Sequence, residues 1–205
     1  MTIIAVIDHG AGNLVSIAQG LERSGADVTV ADVPAGLAGV DGVVLPGVGS
    51  TGVAMRRLRQ AGFVDPLLEL DRPLLGICVG LQLFFDSSDE DATGCLGLMR
   101  GRVEQLQETP KLPHIGWNDL TFQREDPLFA GVADDAPFYF VHSYAAVPID
   151  ETVVVARATY GNPFVAAARD GVRVGVQFHP ERSGPDGVRV LGNFVRECAE
   201  AADAA

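Results

Sequence analysis

The sequence is short of cations: 15 Lys and Arg stand against 27 Asp and Glu, a formal net charge of −12 at pH 7. A nucleic-acid surface needs a basic stripe, and an anionic membrane repels such a chain, so neither is expected as a partner. Cysteine is scarce as well. Cys78, Cys95 and Cys198 are odd in number and widely spaced, with no C-x-x-C pair, which leaves neither a disulfide framework nor a zinc site. No apolar run reaches membrane-spanning length, and the first residues, Met1 to Asp8, carry no basic n-region or cleavage site; a reducing cytoplasm is the expected location. Internal repeats, long linkers and phosphate-binding loops are missing too. Hydrophobic residues make up 47% of the 205 and charged residues only 20%, so most of the chain should fold, as one domain over residues 1–205.

What is present alternates in kind. The run Thr2–Ile7 is continuously apolar, as in a strand buried on both faces. Asn13 is placed to cap a helix carrying Leu14, Ile17, Ala18 and Leu21 at helical spacing, which Gly25 closes. Strands over Asp27–Val30, Gly42–Leu45 and Leu74–Ile77 and helices over Thr51–Arg59 and Val79–Phe85 complete a βα-alternating half. This predicts an α/β fold with a mostly parallel central sheet flanked by helices. The second half reads as strands over Arg102–Leu106, Asp119–Phe122, Phe138–Val141, Thr152–Ala158, Phe164–Arg169 and Arg173–Phe178, several of them antiparallel. A helix over Val188–Ala199 follows, then a fraying end over Ala201–Ala205. The acidic stretch Ser87–Gly94 reads as a surface loop.

The chemistry gathers at strand ends. Gly76-Ile77-Cys78-Val79-Gly80 joins a predicted strand to a predicted helix, the context of a nucleophile elbow with sulfur in place of a hydroxyl. Small residues two positions either side of Cys78 permit a tight turn, and the helix N-terminus beyond favours thiolate. An isolated cysteine is more often a small buried hydrophobe, and Cys95 and Cys198 keep that reading. A hundred residues on, Gln177-Phe178-His179-Pro180-Glu181 supplies a base and, two residues later, a carboxylate; in an extended segment these point the same way. A lone His-Pro-Glu is as often an ordinary strand-to-loop junction. Paired with the elbow, it completes a Cys78–His179–Glu181 catalytic triad for acyl transfer. The tetrahedral intermediate needs an oxyanion hole. The Val79 N–H is one natural donor, and Val48 or Gly49, in the loop Pro46-Gly47-Val48-Gly49 after the Gly42–Leu45 strand, is the second.

These segments resemble class I (triad) glutamine amidotransferases. Four more, Ile7-Asp8-His9-Gly10-Ala11-Gly12-Asn13, Lys111-Leu112-Pro113-His114-Ile115-Gly116-Trp117-Asn118, Tyr139-Phe140-Val141-His142-Ser143-Tyr144 and Gly175-Val176-Gln177-Phe178-His179-Pro180-Glu181, are similar to the glutaminase subunits of imidazole glycerol phosphate synthases, enzymes of histidine biosynthesis. The resemblance runs from about residue 3 to about residue 197. It implies hydrolysis of L-glutamine through a thioester at Cys78. Ammonia would be delivered to a (β/α)8-barrel cyclase subunit as heterodimer partner. It further implies substrate contacts at Gln82, Gly49, Ser143 and Tyr144, and no cofactor or metal. His9 and Arg182 stand where Tyr and Lys are more usual in the family, and an Arg cannot simply replace a Lys in an intersubunit ion pair. Three other readings stay open: a glutaminase serving an anthranilate, guanylate or pyridoxal phosphate synthase, a small cysteine hydrolase of similar fold, and a non-catalytic binding subunit.

Overall fold

The computed structural model describes residues 1–10 and 12–204; Ala11 and Ala205, which fall within two of the segments above, lie outside the described residues. The first half winds as β1 (Ile3–Ile7), α1 (Leu14–Arg23), β2 (Asp27–Ala31), β3 (Gly42–Leu45), α2 (Thr51–Ala61), α3 (Val64–Leu68), β4 (Leu74–Ile77) and α4 (Val79–Gln82). The second half runs β5 (Ser87–Ser88), β6 (Thr93–Gly94), β7 (Gly101–Gln105), β8 (His114–Asp119), β9 (Thr121–Phe122), β10 (Pro137–His142), β11 (Tyr144–Pro148), β12 (Val154–Tyr160), β13 (Asn162–Asp170), β14 (Arg173–Val176) and α5 (Gly184–Asp203).

An eight-stranded sheet in the order β2-β1-β3-β4-β14-β13-β12-β9 forms the centre. β2 through β14 pair in parallel, and β13, β12 and β9 continue antiparallel. β3 and β4 are buried along their whole length, which is why they read as unbroken apolar runs rather than alternating ones. Two smaller sheets, β10-β8 and β11-β7-β5-β6, stand beyond the main one. The expected mixed α/β architecture with an antiparallel region is therefore what the chain adopts.

Several boundaries differ for identifiable reasons. The helix expected over Val79–Phe85 is a single turn ending at Gln82. Past it, the Phe84 and Phe85 amides tighten onto the Leu81 and Gln82 carbonyls, and the carbonyls of Leu83, Phe84 and Phe85 accept from Leu96, Met99 and Gly97. A loop thus takes the hydrogen bonds that a further helical turn would have used. β8 and β11 were not anticipated, nor was α3. In β8 the apolar residues face outward, with Ile115 60% and Trp117 55% exposed while His114 is buried, so its pattern opposes that of an ordinary half-buried strand. The strand expected over Asp119–Phe122 is split, because Asp119 ends β8 and only Thr121–Phe122 pairs with β12. The stretch Ser87–Gly94 is not a plain loop, since it carries the paired β5 and β6. α5 continues through Asp203, so the expected fray is helical over Ala201–Asp203.

Candidate active site

Cys78 sits where β4 ends and α4 begins, at φ 55° and ψ −108°, a region that costs a non-glycine residue about 1–3 kcal/mol. Its amide is held by the Val176 carbonyl at 2.8 Å. The flanking glycines are there for space. A Cβ on Gly76 would stand 2.7 Å from the Leu81 nitrogen, one on Gly80 1.9 Å from the Leu45 carbonyl oxygen, and one on Gly47 2.7 Å from the Val79 Cβ. Strand β4, α4 and the Pro46–Gly49 loop can therefore close around the sulfur only without side chains at those points. α4 is one turn long, so it offers the sulfur's surroundings free N–H groups rather than an extended dipole.

His179 follows β14, the strand paired in parallel beside β4, and its backbone is pinned to β10 by an N–H bond to the Tyr139 carbonyl at 2.9 Å. Its Nδ1 bonds Glu181 Oε1 at 2.9 Å. Pro180–Arg182 forms a 3₁₀ turn rather than the extended segment expected, so the turn, not strand alternation, brings the carboxylate back to the ring. With Nδ1 committed to Glu181, Nε2 is the nitrogen left to exchange a proton with sulfur. Burial alone would drive the proton off His179, but the sulfur of Cys78 and the carboxylate of Glu181 outweigh it and raise the imidazole to about 10. Glu181 Oε2 is buried with no hydrogen-bond partner among the described residues, so the carboxylate's one protein hydrogen bond is to the ring.

A cavity of about 160 Å³ opens over the sulfur, and every residue anticipated for the site lines it: Cys78, His179, Glu181, Gln82, Val79, Val48, Gly49, Ser143 and Tyr144. Gly49 adopts φ 86°, which a side chain would strain, and Val48 beside it is 42% exposed. The start of this loop is tethered by His9, whose Nε2 bonds the Pro46 carbonyl at 2.8 Å from a buried position. Gln82 spends its amide N–H groups on the Tyr144 carbonyl at 2.8 Å and Gln177 Oε1 at 3.1 Å, leaving its own oxygen as the acceptor for a ligand. Glu90 also lines the cavity, its Oε2 accepting from the Thr51 amide at 2.9 Å, and burial raises its carboxyl above the ordinary value. Sequence reasoning missed Glu90, because only the pairing of β5 with β7 carries that acidic stretch to the site.

Two buried histidines follow, His142 in the cavity lining and His114 behind it. His142 Nδ1 bonds the Tyr144 carbonyl at 2.9 Å, and His114 Nδ1 bonds His142 Nε2 at 3.2 Å. A carbonyl only accepts, so His142 carries its proton on Nδ1 and His114 donates from its own Nδ1. Burial, chiefly, pushes His142 down to about 3. An unfolded histidine titrates near 6.5, so between about 6.5 and 3 the unfolded chain binds a proton that the folded chain refuses. Stability is intact above that window and is lost as pH falls through it, by roughly 2–3 kcal/mol from this ring between pH 6.5 and 4.5. Denaturant midpoints at the two pH values should show this loss, and His142→Gln should flatten it; an unchanged pH slope in the variant would contradict the assignment.

The other thiols lie in quieter surroundings. Cys198 is fully buried against Gly42 and burial pushes its thiol up, while Cys95, half-buried, is raised to about 11 for the same reason.

Comparison with known proteins agrees with this geometry. The family model described as "Glutamine amidotransferase class-I" matches residues 5–198. The chain is 46% identical to "Imidazole glycerol phosphate synthase subunit HisH" of Synechococcus sp. (strain JA-3-3Ab), over 98% of this chain and 97% of that relative. It is 48% identical to the protein of the same name from Xylella fastidiosa (strain Temecula1 / ATCC 700964), over 95% and 98%. Among solved structures, a glutamine amidotransferase superposes with a TM-score of 0.75 at 19% identity, covering 95% of this chain and 98% of that one. PurLQS from Thermotoga maritima superposes with a TM-score of 0.74 at 20% identity, with the same coverage; both show the fold alone. A cysteine on a strained elbow, a buried His–Glu pair beside it and a family match over nearly the whole length lead to one conclusion: the chain belongs to the class I glutamine amidotransferases.

Proposed function

We propose that this chain is the glutaminase subunit of an imidazole glycerol phosphate synthase. It hydrolyses L-glutamine to glutamate and ammonia. The ammonia passes to a (β/α)8-barrel cyclase subunit, which forms imidazole glycerol phosphate and an aminoimidazole carboxamide ribotide in histidine biosynthesis. The observation that carries the reading is the convergence of Cys78, His179, Glu181 and Gln82 on one cavity, in a chain nearly half identical to such subunits along its length.

The geometry supports a definite sequence of steps. The Cys78 thiolate attacks the side-chain amide carbon of glutamine while His179 holds the proton on Nε2. The resulting oxyanion takes the Val79 N–H and one from Val48 or Gly49. His179 then protonates the departing nitrogen, leaving a γ-glutamyl thioester and free ammonia. Water, deprotonated by His179, releases glutamate and restores the thiol proton to the His–Cys pair. Glu181 keeps the ring oriented throughout. Glu90 and Gln82 Oε1 present acceptors suited to the substrate's α-ammonium, and the backbone of Ser143 and Tyr144 closes the far side.

The cyclase docks where the cavity mouth meets an apolar face. Ile115 and Trp117 are exposed on β8, Trp117 lies edge-on to Tyr139 at 5.8 Å, and Arg182 sits 4.7 Å above the Tyr139 ring. Among the described residues no helix is long and apolar enough to cross a membrane, and the cytoplasm, which keeps thiols reduced, suits the nucleophile.

Glutamine hydrolysis measured with and without the cyclase and its ribotide ligand tests the reading. The isolated subunit should be nearly silent and the complex active, because the Gly47–Val48 peptide can turn the Val48 N–H toward or away from the site. Losing one oxyanion donor lowers turnover about 10²–10³-fold. Val48→Pro, which removes an N–H, should depress stimulated hydrolysis while leaving glutamine binding within about threefold of wild type. An isolated subunit that hydrolyses glutamine as fast as the complex would overturn the switching reading.

A further inference from the structure

The mechanism above makes no use of Gln177, yet its amide touches the nucleophile. Gln177 is fully buried, and its Nε2 lies 3.5 Å from Cys78 Sγ. The placement is dictated by topology. β14 and β4 pair in parallel with Val176 opposite Ile77, so the next residue of each strand, Gln177 and Cys78, emerge side by side at the carboxyl edge. The backbone locks this register: the Cys78 amide bonds the Val176 carbonyl at 2.8 Å, and the Gln177 amide bonds the Ala166 carbonyl at 2.8 Å.

We propose that Gln177 is a positioning residue for the nucleophile, holding the Cys78 sulfur as thiolate by donating an amide N–H to it; the proposal deepens the glutaminase reading and rests on it. The direction of the amide follows from its neighbours. The Tyr144 carbonyl can only accept, so Gln82 must turn its nitrogen that way, at 2.8 Å. That nitrogen's second N–H meets Gln177 Oε1 at 3.1 Å, which leaves the Gln177 nitrogen, and not its oxygen, against the sulfur. His142 reinforces the arrangement by donating to the same Tyr144 carbonyl at 2.9 Å, and His114 in turn donates to His142 at 3.2 Å. Two sets of donors thus meet at the Tyr144 carbonyl, His114 and His142 from one side and Gln82 from the other, and from Gln82 the donation continues through Gln177 to the nucleophile.

The sulfur also lies 3.8 Å from the Val141 carbonyl, an acceptor that suits a thiol and opposes a thiolate. Gln177 is thus the neutral donor set against that carbonyl. A neutral N–H at this place stabilises a negative sulfur without adding a proton that His179 would have to compete for. It also keeps the sulfur from swinging toward Val141 when the substrate enters. Hydrogen bonds to charged groups contribute enough that losing this one should slow thiolate chemistry about 10- to 100-fold.

The test uses Gln177→Met, which matches the length of the side chain but lacks a donor, and Gln177→Glu, which keeps an acceptor for Gln82 but offers the sulfur no N–H. Two readouts are taken: kcat and KM for glutamine in the complex with the cyclase, and the rate of alkylation of Cys78 by iodoacetamide in the full-length chain at neutral pH. In both variants kcat and the alkylation rate should fall together, about 10- to 100-fold, with KM within about threefold of wild type. A merely structural role would instead raise KM and lower the thermal midpoint while the folded molecules alkylate at the wild-type rate. Either variant turning over and alkylating like wild type overturns the proposal. Should the Met variant not fold, the Glu variant and Gln177→Asn, which draws the donor back by one methylene, carry the same readouts. A wild-type complex that does not hydrolyse glutamine defeats the functional reading instead, a result distinct from either outcome for Gln177.

Discussion

Cys78→Ala should reduce cyclase-stimulated glutamine hydrolysis by about 10⁴-fold or more, since a triad without its nucleophile retains only binding and oxyanion stabilisation. The fold should survive, because the elbow's packing depends on Gly76, Gly80 and Gly47 rather than on the sulfur. The variant should therefore still bind the cyclase, and ammonium supplied directly should restore the cyclase reaction. A second substitution separates function from strain. Cys78 holds φ 55°, so Cys78→Gly should be equally inactive yet recover part of the roughly 1–3 kcal/mol that this backbone conformation costs. Glutamine-analogue electrophiles should label Cys78 and spare Cys95 and Cys198, whose thiols burial keeps protonated. Mass spectrometry showing label spread over the three thiols would remove Cys78 from its role.

Gly80→Ala should be strongly damaging for a change of one methyl group. Its Cβ would lie 1.9 Å from the Leu45 carbonyl oxygen, and that atom belongs to the backbone of β3, which cannot step aside as a flexible side chain can. Relief requires α4 to lift from the sheet, carrying with it the Cys78 turn and the Val79 N–H. Overpacking of this kind costs about 3 kcal/mol, and the fraction that still folds should be inactive through a misplaced nucleophile. Gly94→Ala makes the control, since its Cβ would enter open space. Thermal midpoints for the pair decide the matter; equal midpoints would mean that the tight approach of α4 to β3 is not needed.

Much of this site is local in the chain and so could be read from it. Gly76 to Gly80 declares a strained turn because only small residues permit the approach, and the apolar runs at β1, β3 and β4 declare strands covered on both sides. His179 and Glu181 are near neighbours, and their pairing was legible as chemistry even though a 3₁₀ turn, not an extended step, brings them together. The parallel half of the sheet followed from alternation alone, since parallel neighbours require crossovers.

Tertiary structure decided what depends on register and pairing between distant segments. Which residue lies beside Cys78 is set by β14 aligning with β4 one position short of Gln177, a relation that no local pattern encodes. Glu90 looked like part of a solvated acidic loop until β5 paired with β7 and turned it to the cavity. β8 was unreadable because its apolar side chains face outward while its histidine faces in, so the hydrophobic period that normally marks a strand runs opposite to burial. The sequence by itself determined the fold class and singled out Cys78 and His179 as candidate nucleophile and base, because these rest on steric and periodic rules acting over a few residues. The shape of the cavity, the orientation of its amides and the protonation of its histidines came only from the assembled sheet. Hydrogen-bond direction and desolvation are set by what surrounds a group in space, not by what adjoins it in the chain.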